Sequence, residues 1–147
     1  MNTPRVNQTD IEVRIRTMRT LWLALCFSIP LNFMVTLFVK RPEDVQPNNM
    51  LSLALLVVTM STALVSFVVK SKIVSRAAEQ QNAMMVQQGY VMAWAITEVG
   101  SLLGLLDFFV TGNRYYYILF IISLCGQLLH FPRRDHVLNA MFKSPGF

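Results

Sequence analysis

Four apolar segments constrain this chain more than any other feature: residues 21–39, 50–69, 90–110 and 115–131, each 17 to 21 residues long. About 20 helical residues, at ~1.5 Å rise each, cross the ~30 Å hydrocarbon core of a bilayer. A helix satisfies its own backbone hydrogen bonds in lipid, whereas a β-barrel span is a ~10-residue run alternating apolar and polar side chains. No such alternation occurs here. Only 14% of the residues are charged, against about 25% in soluble domains, and the mean hydropathy is +0.45. The expected fold is therefore all-α. It is one membrane domain over residues 1–147, a four-span bundle of two hairpins with helical extensions into the cytoplasm.

The net charge of +5 does not imply nucleic acid, because the basic residues flank the spans instead of forming a groove. Arg5, Arg14, Arg16 and Arg19 precede the first span, Lys70, Lys72 and Arg76 follow the second, and Arg133, Arg134 and Lys143 follow the fourth. The other two connections hold Lys40 and Arg41, and Arg114. Ten basic residues against three place both termini and the 70–89 connection in the cytoplasm, with two short loops outside. The bacterial inner membrane is the expected location. The expected partners are the lipid bilayer and other membrane subunits or a second copy. The first span runs into Phe38-Val39-Lys40-Arg41-Pro42, without the small-residue site at which a signal peptide is cut.

Local signals add detail. Thr9-Asp10-Ile11-Glu12 has the form of a capping box, and Ile11, Ile15, Met18 and Trp22 recur at helical spacing behind it, so the first helix starts near Asp10. Pro30 removes an amide donor in mid-span, which predicts a kink between Cys26 and Pro30. Residues 40–49 read as a polar, proline-punctuated loop. In the second span Thr59, Thr62 and Ser66 share a face suited to close helix packing. Residues 70–89 favour helix, with Gly89 as the hinge if the projection breaks. Thr111-Gly112-Asn113-Arg114 is a tight turn across which Asp107 and Arg114 are expected to pair, and Tyr115, Tyr116 and Tyr117 form an aromatic belt.

Glu98 is the sharpest functional signal, since an ionisable group inside a span is expensive and marks a functional site by default. Residues facing each other across the last hairpin sum to about 225, which sets Gln127 level with Glu98 and Ser123 one turn away. Thr97, Gly100, Ser101 and Gly104 give the third helix a small-residue face, Gly100 and Gly104 at small-xxx-small spacing. Glu98, Gln127, Thr97, Ser101 and Ser123 are thus the candidate proton- or ion-binding group. Gly100, Gly104, Thr59, Thr62 and Ser66 are the candidate packing residues.

No catalytic residue, cofactor or metal site is expected. There is no glycine-rich phosphate loop, no metal-ligand pair at i, i+4 and no nucleophile beside a base. Cys26 and Cys125 lie inside spans as small hydrophobes, and His130 and His136 stand near the cytoplasmic face.

Ala95-Ile96-Thr97-Glu98-Val99-Gly100-Ser101-Leu102-Leu103-Gly104-Leu105-Leu106 resembles the carboxylate-bearing helix of the rotor-ring proteolipid, subunit c of rotary ATP synthases and ATPases. That likeness implies that Glu98 carries a transported proton, supported by Thr97 or Ser101. The first and third helices lack the repeated glycine track of ring helices, and the charge bias sets the hairpin turns outside. Over its whole length the chain looks more like small bacterial four-helix membrane proteins. The expected function is a non-enzymatic subunit or scaffold of a larger membrane assembly with a buried polar network around Glu98. The alternative is a subunit translocating protons or cations on that carboxylate.

Overall fold

The computed structural model describes residues 8–40 and 47–142, and every regular element among them is helical. These are α1 (Gln8–Phe38), α2 (Asn49–Glu79), α3 (Ala83–Val110), a 3₁₀ turn (Arg114–Tyr116), α4 (Tyr117–Leu129) and α5 (Arg134–Asn139). α1, α2 and α3 are each long and apolar enough to cross a membrane; the fourth apolar helix is shorter, over Arg114–Leu129. The side chains of the capping-box residues Thr9 and Asp10, and most of the 40–49 loop, lie outside the described residues, as do Arg5 and Lys143.

α1 buries the stripe Ile11, Ile15, Met18 and Ile29, with Trp22 and Leu25 partly buried between them; steps of three and four keep this stripe on one side of a 3.6-residue helix. The opposite face carries Phe27, Leu31, Met34 and Phe38, all exposed. A helix apolar all round suits a lipid surround, not water. Pro30 sits on the exposed side and α1 continues through it.

α2 and α3 form a long antiparallel hairpin. Gln81 takes φ 49° in the connection, and Asn82 caps α3 by accepting from the Met84 amide at 3.0 Å. The 70–89 segment is thus helical, as its composition indicates. Its break falls at residues 80–82, so Gly89 is no hinge. It lies within α3, where an added Cβ would stand 3.0 Å from Ile73 Cγ2, so α2 and α3 touch there.

α3 is the hub, packing on α1, α2 and α4, and α4 also touches α1 and α2. α1 and α2 stand on opposite flanks of the α3–α4 pair and scarcely meet. This corrects the expectation of two hairpins, because the loop after α1 joins helices that are not neighbours.

The end of the bundle bearing the 70–89 connection, here called the basic end, holds the main apolar core. Ile11, Ile15 and Met18 of α1, Ala77 of α2, and Val86, Tyr90 and Trp94 of α3 close around Val137 and Ala140. Sequence periodicity gave no sign of α5. It is a six-residue lid that fills the space left where α1, α2 and α3 extend beyond α4.

Candidate functional site

Glu98 lies half-buried on the side of α3 that meets α1. Its Oε1 accepts from Ser28 Oγ at 2.6 Å, and from Asn32 Nδ2 and Ser101 Oγ at 3.4 Å each. Asn32 Nδ2 also donates to Ser101 Oγ at 3.0 Å. Oε2 is buried and has no hydrogen-bond partner among the described residues. Ser28 and Asn32 are one turn apart on α1, Glu98 and Ser101 one turn apart on α3, so the four side chains close a seam between two helices.

This corrects the expected pairing of Glu98 with Gln127 or Ser123. Ser123 Oγ donates within α4 to the Leu119 carbonyl at 2.9 Å, and Thr97 Oγ1 within α3 to the Ala93 carbonyl at 2.9 Å. Gln127 is fully buried with neither side-chain amide atom bonded among the described residues, while its backbone carbonyl accepts from Trp22 Nε1 at 2.9 Å. The sum rule for a hairpin fixes depth but not direction. Adjacent residues of a helix differ by ~100° in azimuth, so Thr97 faces Gly126 of α4 while Glu98 is turned to α1. Ser101 is the only expected partner that reaches Glu98. Ser28 and Asn32 lie outside the expected group.

Gly100 and Gly104 lie close against neighbouring helices. A Cβ on Gly100 would overlap Ser123 Oγ and stand 2.9 Å from Thr59 Cγ2, and one on Gly104 would stand 2.7 Å from the Phe120 ring. Gly100 is therefore where α2, α3 and α4 converge. Thr59 and Ser66 are buried on α2, and Thr62 Oγ1 donates to the Thr59 carbonyl at 2.9 Å.

A second acidic cluster occupies the opposite end. Asp107 is fully buried: its Oδ1 accepts from Thr111 Oγ1 at 2.5 Å and its Oδ2 from Ser52 Oγ at 3.1 Å. Asn113 Nδ2 donates to Ser52 Oγ at 2.8 Å, and the Asn48 amide to the Thr111 carbonyl at 2.8 Å. Asp107 thus ties α2 to the turn after α3, and the expected surface pair with Arg114 is not formed. Nine residues separate Glu98 from Asp107, two and a half turns, which sets them on opposite sides of α3. One carboxyl holds α1 and the other holds α2.

At the basic end, Tyr90 Oη accepts from the Arg133 amide at 3.1 Å and lies 2.8 Å from His136 Nδ1. A neutral imidazole with Nδ1 unprotonated accepts the phenol hydrogen, and one protonated at Nδ1 donates to Oη. Burial, with Lys70 and Arg133 nearby, pushes His136 below its ordinary value of 6.5, while Asp135 acts the other way. A base with a depressed folded pKa binds more protons when unfolded. Its contribution to stability is therefore full above the ordinary value and is lost as pH falls through it. We expect hydrogen-exchange protection of α5, corrected for intrinsic rates, to decrease from about pH 7.5 to about pH 5.5, and His136→Gln to remove most of that difference. Equal protection at both pH values would show that α5 is insensitive to this imidazole.

Compared with protein-family models, with curated proteins and with solved structures, the chain finds no match.

Proposed function

We propose that this is an integral membrane protein of four spans, a non-catalytic subunit or scaffold of a larger membrane assembly, in which Glu98 latches α1 to the rest of the bundle. The observation that carries the reading is the seam itself: Oε1 gathers donors from both helices at the place where α1 meets α3. α1 has almost no contact with α2, so a polar latch to α3 has structural work to do. The exposed apolar faces of α1 and α2 are available to lipid and to neighbouring subunits. The test is purification of the full chain in mild detergent from its native membrane. Stoichiometric association with unrelated membrane subunits is expected, and a closed ring of this chain alone would reject the scaffold reading.

In this reading the fourth span is the shorter apolar helix over Arg114–Leu129, the 3₁₀ turn with α4. Charge bias puts the basic end in the cytoplasm of a bacterial cell. With Cys26 and Cys125 replaced by Ala, an impermeant thiol reagent outside whole cells should modify Asn48→Cys and leave Ser75→Cys untouched. The reverse pattern would invert the topology.

One feature favours proton or cation transfer as the second reading. Ser28 Oγ has a single hydrogen and two acceptors, the Leu25 carbonyl at 2.8 Å and Glu98 Oε1 at 2.6 Å. With the hydrogen on Leu25, Ser28 accepts from a protonated Glu98; with it turned to Glu98, the cluster suits the carboxylate. Both states use the same heavy-atom positions, which is what a proton-carrying site requires.

A further inference from the structure

We infer that the groove between α1 and the start of α5 is a binding site for the headgroup of an anionic phospholipid. Arg16 and Arg19 of α1 and Arg134 of α5 line a single cavity of about 440 Å³, with Leu23 on its wall. Glu12 is the one carboxylate among the described residues that line it, so three guanidinium groups face one opposing charge. Guanidinium is planar, permanently charged and suited to bidentate contact with a phosphate diester.

Two further observations point to a lipid and not to a free anion. Trp22 packs edge-on against Phe131 with ring centroids 5.0 Å apart, and the Arg19 guanidinium carbon lies 5.6 Å from the Phe131 centroid. Trp22 is fixed by its bond to the Gln127 carbonyl. Amphipathic rings of this kind mark the headgroup level of a bilayer, so the arginines stand at phosphate depth. From Leu23 the exposed residues Phe27 and Leu31 continue down α1 at four-residue steps. An acyl chain attached to a phosphate in the groove would lie along that stripe, whereas inorganic phosphate would make no use of it. The inference is independent of the role of Glu98.

The test is equilibrium binding to the full chain in mild detergent, using short-chain phosphatidylglycerol, short-chain phosphatidylcholine and inorganic phosphate as probes. Each basic group near an anionic lipid is worth roughly fivefold in affinity, so two uncompensated charges give a preference of roughly 25-fold for phosphatidylglycerol over phosphatidylcholine. R16Q/R19Q/R134Q, which leaves Glu12 unopposed in the groove, should abolish the preference. The charge-matched control K72Q/R76Q/R114Q should keep it, and Glu12→Gln should raise phosphatidylglycerol affinity several-fold. Equal wild-type affinity for the two lipids would overturn the inference, as would equal losses in the two triple variants. Inorganic phosphate binding as tightly as phosphatidylglycerol would show a free-anion site instead. The wild-type comparison stands even if a variant fails to fold.

Discussion

Gly104→Leu is expected to break the packing of α3 on α4 and lower the protein's stability in detergent by about 3 kcal/mol or more. Even a methyl group at this position would stand 2.7 Å from one carbon of the Phe120 ring and 3.0 Å from two more. Phe120 cannot move aside freely, because its ring packs edge-on against Phe33 of α1 at 5.5 Å and lies 6.4 Å from Tyr116. The displacement is therefore passed to a third helix. Overpacking by one or two methylenes costs about 1–3 kcal/mol, and a whole leucine side chain against an aromatic stack belongs at or above the upper end. That corresponds to a fall of roughly 10 °C in the melting temperature for a chain of this size. Gly104→Ala should cost less, and adding Phe120→Leu to Gly104→Ala should restore part of the loss by removing the opposing ring. An unchanged melting temperature and elution volume for Gly104→Leu would mean that α3 and α4 do not pack through this glycine.

The elements most legible in the sequence are those in which one periodicity governs a long run. Ile11, Ile15, Met18 and Trp22 mark the buried stripe of α1 from spacing alone, and Gly100 and Gly104 mark the close approach of α3 to its neighbours. Depth was legible too, since the last turn sets Gln127 level with Glu98, and Gly126 does lie against Thr97. Direction around the helix axis was not, because it depends on which helices become neighbours. Here α1 and α2, adjacent in the chain, lie on opposite flanks of α3. That arrangement takes Glu98 away from Gln127 and gives it to Ser28, a residue with no sequence signal beyond its hydroxyl. It also explains Asp107, which lies close enough to a turn to read as a surface carboxylate. The hydroxyls of Ser52 and Thr111 instead allow it to be fully buried. α5 was invisible for another reason: six residues carry too few turns for a hydrophobic period, and its place is fixed by the hole it fills.

Glu98→Gln and Glu98→Leu, made in parallel, separate the latch from the proton carrier. A glutamine that turns Nε2 toward Ser28 donates to its hydroxyl while Ser28 donates to the Leu25 carbonyl, which keeps the Ser28 bond of a protonated carboxyl and gives up the two 3.4 Å bonds from Asn32 and Ser101, themselves still bonded to each other. If Glu98 is a latch, glutamine should preserve assembly and thermal stability. Leucine should cost only about 1–2 kcal/mol, because Ser28 keeps the Leu25 carbonyl and Asn32 keeps Ser101 as alternative acceptors. That loss should appear as increased exchange in α1 and not in α2, since α2 is held by Asp107 on the other side of α3. If Glu98 carries protons, both variants should fold and both should lose pH-driven flux in reconstituted vesicles. Reaction of the wild type with a hydrophobic carbodiimide, which attacks protonated carboxyls in apolar surroundings, should also vanish in both. Asp107 supplies an internal control for that reagent, being fully buried on the opposite face and unchanged in either variant. A wild-type protein that shows no pH-driven flux and no carbodiimide adduct at Glu98 would eliminate the carrier reading and leave the latch. Full stability and unaltered α1 exchange in Glu98→Leu would eliminate the latch.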